Sequence, residues 1–159
     1  MIGIDLFSGA GGMSVGALAG GVDVRIAIES DPHAAATYRA NHPDVYLVED
    51  DIRNVTDFSR FRFDEEVVVF GGPPCQGFST SNQRNRSAKN PNNWLFREFL
   101  RVASKVEPEW IVFENVKGIL ETENALFLKH VKNGLKALGY TLSIGVLNAL
   151  DFGVLTCPL

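Results

Sequence analysis

"EVVVFGGPPCQGFS", residues 66–79, joins a continuous apolar run to two glycines, two prolines and a cysteine. Proline fixes φ and has no N–H to give to a sheet, so the run reads as a buried strand that stops at Phe70 and turns sharply. Cys75 then follows a stiff turn at that strand's carboxyl end. Outward from this stretch, strands are predicted at 2–6, 24–28, 45–48, 66–70, 110–114 and 142–147, and helical apolar spacing at 12–19, 32–41, 94–105 and 124–138. Short apolar strands alternating with helices predict an α/β fold, a mostly parallel sheet with helices on both faces. In open sheets of this class, ligands bind outside the carboxyl ends of the strands.

The bulk properties bound what such a fold does. With 159 residues, 45% of them hydrophobic, and no apolar stretch near the ~20 residues needed to span a bilayer, one soluble domain with a sizeable core is expected. Met1 leads straight into "IGIDLF" with no leader-like segment, so an intracellular location is expected. Cys75 and Cys157 are too few for a disulfide framework and lack metal-ligand spacing with His33, His42 or His130, which argues against zinc. The net charge of −4 is unevenly spread. Residues 71–106 carry six basic side chains (Arg84, Arg86, Lys89, Arg97, Arg101, Lys105) against Glu98 alone. That stretch suits either phosphate contact or a solvated loop and helix face. Within it, "STSNQRNRSAKNPNN" (79–93) reads as a long polar, mobile loop.

The predicted strand ends hold the informative residues. "DLFSGAGG" (5–12) follows the first strand, and Gly9, Gly11 and Gly12 allow a tight turn and close approach of a ligand to backbone. It matches neither GxGxxG nor a phosphate loop, and a plain strand-to-helix turn stays open. Glu29 ends the second strand, at a spacing suited to accept bonds from ribose hydroxyls. Asp50 and Asp51 end the third, where a turn or cap is the competing reading. Together these ends describe a nucleoside pocket without a phosphate site, which suits S-adenosylmethionine better than a dinucleotide. Cys75 and Glu114 end the fourth and fifth strands, so neighbouring strands bring a thiol and a carboxyl group into one crevice. A carboxyl group leaving a buried strand is suited to hold a proton near neutrality.

In order along the chain, "DLFSGAGG", "IESDPHA", "DDI", "GGPPCQGFS", "NWLF", "FENVKG" and "LNALDFGV" resemble the C5-cytosine-specific DNA methyltransferases. "PPCQGFS" with a later "ENV" is the specific part of the match. The resemblance implies a Rossmann-like S-adenosylmethionine-dependent methyltransferase fold, with DNA as substrate and a role in restriction-modification. It implies that Cys75 is the nucleophile and that Glu114 binds the cytosine edge at N3 and the exocyclic amine. It further implies cofactor contacts from Phe7, Gly9, Gly11, Glu29, Asp51, Ile52, Pro74 and Leu95, and closure of the 79–93 loop over a flipped cytosine. Ser30 stands where some members carry an aromatic side chain against the adenine.

After "LNALDFGV" members of the family continue into Pro-Gln, an Arg-x-Arg segment and a target-recognition domain, whereas this sequence reads "LTCPL". Residues 1–159 are therefore expected to be a partial cofactor-binding and catalytic domain, incomplete at its carboxyl end and inactive alone. Such a chain is a truncated or frameshifted product, or part of a split enzyme with a complementing chain. A non-catalytic cofactor-binding subunit and a relative acting on cytosine in transfer RNA are the alternatives.

Overall fold

The computed structural model describes residues 1–74, 94–120 and 125–153. Among these residues five parallel strands form one sheet: β1 (Ile2–Leu6), β2 (Asp23–Glu29), β3 (Tyr46–Glu49), β4 (Val67–Gly71) and β5 (Trp110–Phe113), in the order β3-β2-β1-β4-β5. The helices are α1 (Gly12–Ala19), α2 (Pro32–Asn41), α3 (Phe96–Val106) and α4 (Leu126–Ala137). Among the described residues no helix is long and apolar enough to cross a membrane.

β4 is a continuous apolar run and β1 is apolar but for Asp5, because both strands are buried throughout, between neighbouring strands and between two helical layers. Ile2, Ile4, Leu6, Val67 and Val69 face one layer, where Phe99 and Val102 of α3 and the segment holding Ile52, Val55 and Phe61 cover them. Val68 and Phe70 face the other layer and meet Met13 and Ala17 of α1. α4 packs beside α3 through Phe127, Val131 and Leu135.

Local sequence sets the helix ends. Asp31 caps α2 by accepting from the His33 and Ala34 N–H groups, with Pro32 at the first helical position. α4 stops at Gly139 (φ 92°), where the Gly139 and Tyr140 N–H groups donate to Lys136 and Leu135 carbonyls.

One predicted element is absent. Residues 142–147 form no strand, and no backbone bond joins them to β5 among the described residues. Leu142 packs beside the α4 cluster, while Ile144, Val146 and Leu147 are exposed. An apolar run becomes a strand only where its backbone groups find a ladder, and here that ladder is missing.

Candidate functional site

Strand order reverses direction between β1 and β4: the chain winds outward one way through α1 and α2, then the other way through α3 and α4. The crevice outside the carboxyl ends of β1 and β4 is where open sheets of this kind take ligands. A cavity lies there. Phe7 lines it from the end of β1; Ile28, Glu29 and Ser30 from β2; Asp50, Asp51 and Ile52 from β3; Gly72 and Pro74 from β4; and Leu95 from the start of α3.

Six residues predicted as cofactor contacts thus meet in one place: Phe7, Glu29, Asp51, Ile52, Pro74 and Leu95. Gly9 and Gly11 do not line the cavity. Gly9 instead donates its N–H to Glu29 Oε2 at 2.7 Å. A Cβ on Gly11 would meet His42 Nε2 at 2.4 Å, so Gly11 is required by packing against the end of α2. Phe7 holds a left-handed backbone (φ 59°), a strained conformation for an aromatic residue, and its side chain packs on the α3-side core. Nothing in the sequence signals that dihedral. Ile28, Ser30, Asp50 and Gly72 complete the wall, placed by their neighbours at the strand ends.

The acidic residues do two jobs. Glu29 accepts from Gly9, Ser30 and Asp31 N–H groups at 2.7, 2.8 and 2.7 Å, tying the first loop to the end of β2 while it faces the cavity. Asp51 caps the turn Ile52–Asn54 by accepting from the Arg53 N–H, and the Arg53 side chain bonds both of its oxygens. That guanidinium holds the Asp51 carboxyl below the usual carboxylate range. The cap and the cavity wall are therefore the same residue.

Glu114 stands beside the cavity, not in its lining. Its N–H donates to Gly71 O at 3.0 Å, continuing the β4–β5 ladder one step, and a Cβ on Gly72 would come within 2.5 Å of Glu114 Oε2. Asn115 donates its side-chain amide to Pro73 O at 3.2 Å. The expectation of a buried carboxyl is not met: Glu114 is exposed, because β5 is the sheet edge and its residues are half-buried or exposed. Cys75, the 79–93 loop and Cys157 lie outside the described residues.

Beneath the first loop lies a buried polar chain that sequence reading missed. The Ser14 hydroxyl donates to Asp5 Oδ2 at 2.6 Å and shares a 2.7 Å bond with the Tyr38 hydroxyl, linking β1, α1 and α2. All three residues are fully buried. Desolvation pushes the Asp5 carboxyl up to about 7, against the Ser14 bond and with help from the Glu29 charge. Between about pH 4 and 7 the unfolded chain has released this proton while the folded chain keeps it. Asp5 therefore makes stability fall as pH rises through that window, by up to about 1.4 kcal/mol per pH unit. Asp5→Asn is expected to remove this slope. Urea unfolding near the two ends of the window should show the variant gaining on wild type as pH rises; a constant difference would contradict it.

An all-parallel sheet in this order, with acidic and apolar side chains gathered at its switch point, defines a Rossmann-like α/β domain. Residues 1–155 match the sequence profile of the C-5 cytosine-specific DNA methylases, and the chain belongs to that family. It is 40% identical over 155 residues to the Type II methyltransferase M1.HphI of Haemophilus parahaemolyticus, covering 95% of this chain and 42% of the relative. It is 38% identical to M.AquIA of Picosynechococcus, of which it covers 66%. The chain thus spans less than two thirds of these relatives. Among solved structures, a DNA modification methyltransferase encoded within an E. coli prophage superposes with a TM-score of 0.71 at 33% identity, over 86% of this chain and 38% of that one. The S. pombe Dnmt2 methyltransferase superposes at 0.58 and 26% identity, over 84% of this chain and 40% of that one.

Proposed function

We propose that this chain is the cofactor-binding and catalytic part of a DNA (cytosine-5)-methyltransferase that uses S-adenosylmethionine. The observation that carries this reading is the convergence of Phe7, Glu29, Asp51, Ile52, Pro74 and Leu95 on one cavity at the switch point. The donor set fits the cofactor. Carboxylates suit ribose hydroxyls and a cationic sulfonium, apolar side chains suit the base, and among the described residues no basic side chain lines the cavity. S-adenosylmethionine supplies an electrophilic methyl group. Asp51 and Ile52 would hold the adenine, with Phe7 beside them in the cavity; Glu29 would take the ribose hydroxyls, and Pro74 and Leu95 would border the methionine end.

Cytosine C5 is a poor nucleophile, and Cys75 answers that by adding its thiolate to C6. The C5–C6 double-bond electrons move toward C5 and N3, where Glu114 stabilises the charge. C5 would then form a bond to the methyl group as the sulfonium S–CH3 bond breaks and S-adenosylhomocysteine leaves; transfer of the C5 proton to solvent would expel the thiolate and restore the ring. Neither ring carbon is reachable within the stack, so the cytosine is flipped out of the duplex first.

Glu29→Ala tests the cofactor reading. S-adenosylmethionine affinity should fall by about 1–3 kcal/mol, as expected for losing hydrogen bonds to a charged acceptor. The melting temperature should fall too, because three backbone N–H groups lose their acceptor. Calorimetric titration of the folded variant with wild-type affinity would reject the ribose role.

A further inference from the structure

Arg101 was grouped by sequence with a basic stretch suited to phosphate, yet it is turned inward. Its Nη2 donates to Ile52 O at 2.7 Å, its Nη1 to Val55 O at 2.9 Å and its Nε to Glu98 Oε2 at 2.6 Å. Its side chain is 30% exposed, and the guanidinium lies 5.5 Å from the centre of the Phe58 ring. The contrast with Arg97, which lies 4.1 Å over the Trp94 ring on the same helix, shows that the two arginines serve different surfaces.

The carbonyls that Arg101 takes belong to the turn that follows β3. Asp51 begins that turn, Ile52 is its first residue and Val55 ends it. Asp51 and Ile52 form one wall of the cavity, and Leu95, at the start of α3, faces it from another side. Arg101 sits further along that same helix. One helix therefore contributes a lining residue of the cavity at its start and, further along, grips the backbone of another lining segment. Only a planar fork with several fixed donors reaches two carbonyls and a carboxylate together; an ammonium group is a single point of attachment. Glu98 holds the fork in orientation.

We propose that Arg101 is a positioning residue for the nucleoside: by fixing residues 52–55 to α3, it sets where Asp51 and Ile52 stand relative to Leu95 in the cavity that holds the nucleoside. The proposal rests on reading the cavity as a nucleoside site. It assigns the shape of that site to a side chain that does not line it.

The test is calorimetric titration of wild type, R101M and R101K with adenosine and with S-adenosylhomocysteine, below each protein's melting temperature. R101M keeps a long flexible side chain and loses every donor. Its dissociation constant should rise about tenfold for both ligands at unchanged stoichiometry, since both depend on the same wall. R101K regains one carbonyl and should recover part of the loss. Should R101M not fold, R101K carries the test, with an expected weakening of about threefold. A lower melting temperature with wild-type dissociation constants in the folded variants would mean that Arg101 only stabilises, and would overturn the inference alone. Wild-type protein that binds neither ligand would overturn the nucleoside reading and this inference with it.

Discussion

Cys75→Ser is expected to abolish methyl transfer to cytosine in any catalytically competent preparation, lowering turnover by at least about 10³-fold. Affinity for S-adenosylhomocysteine should stay within about twofold of wild type, because the proposed cofactor contacts are side chains other than Cys75. The argument starts at the turn. Gly71 has a φ of 154°, and a Cβ there would lie 1.9 Å from Leu6 O, so the end of β4 is pressed against β1 with no room to shift. Pro73 is tied to Asn115 across the sheet, and Pro74, itself lining the cavity, is joined directly to Cys75. The proposed nucleophile directly follows this constrained backbone, which suits attack at a set distance and angle, where orientation is worth several orders of magnitude. Serine keeps the size and loses the chemistry: a hydroxyl is not ionised near neutrality, and an alkoxide is a poorer group to expel. The measurement is transfer of labelled methyl groups to unmethylated DNA, with cofactor titration on the same sample. Turnover at the wild-type rate would remove Cys75 from the mechanism.

What was legible in the sequence followed from physics acting over a few residues. "EVVVF" reads as a strand because a strand buried on both faces needs no polar alternation, and 32–41 reads as a helix because its apolar residues recur at three and four spacing. "LSIGVL" has the same apolar character as β4 and no strand forms, because pairing depends on a neighbour that the run itself does not encode. At the site, Glu29 and Asp51 were found from their places at strand ends. Their second roles, clamping the first loop and capping a turn, depend on backbone groups that only the folded chain brings near. Gly11 reads in the sequence as close approach of a ligand to backbone, and in the fold the space its Cβ would need is taken by His42, thirty-one residues away. Asp5, Ser14 and Tyr38 form one buried chain from three separate elements, and no local pattern marks them as partners. Charge counting failed on Arg101 for the same reason: a basic residue in a basic stretch has no visible direction until its helix is packed.

Glu114→Gln is expected to lower kcat by about 10²–10³-fold with little change in KM for DNA. Glutamine has nearly the same shape and offers an N–H to cytosine N3 and a carbonyl to the exocyclic amine, so the base is still held. It has no proton to yield as charge develops on N3 during thiolate addition, so the loss falls on the transition state. The surroundings show how the carboxyl is aimed. Its backbone extends the pairing of β5 with β4 by one bond, and its Oε2 lies over Gly72, where any side chain would collide. Gly72→Ala therefore serves as the control: it leaves the carboxyl chemistry intact, displaces it, and should also depress kcat. In the free chain Glu114 is exposed, so in the proposed mechanism it is the flipped base that would exclude water from it. Glu114→Ala, which loses the contacts as well as the proton, should raise KM in addition. If Glu114→Gln and Glu114→Ala both left kcat at the wild-type value in steady-state assays, the carboxyl group would have no part in activating the ring.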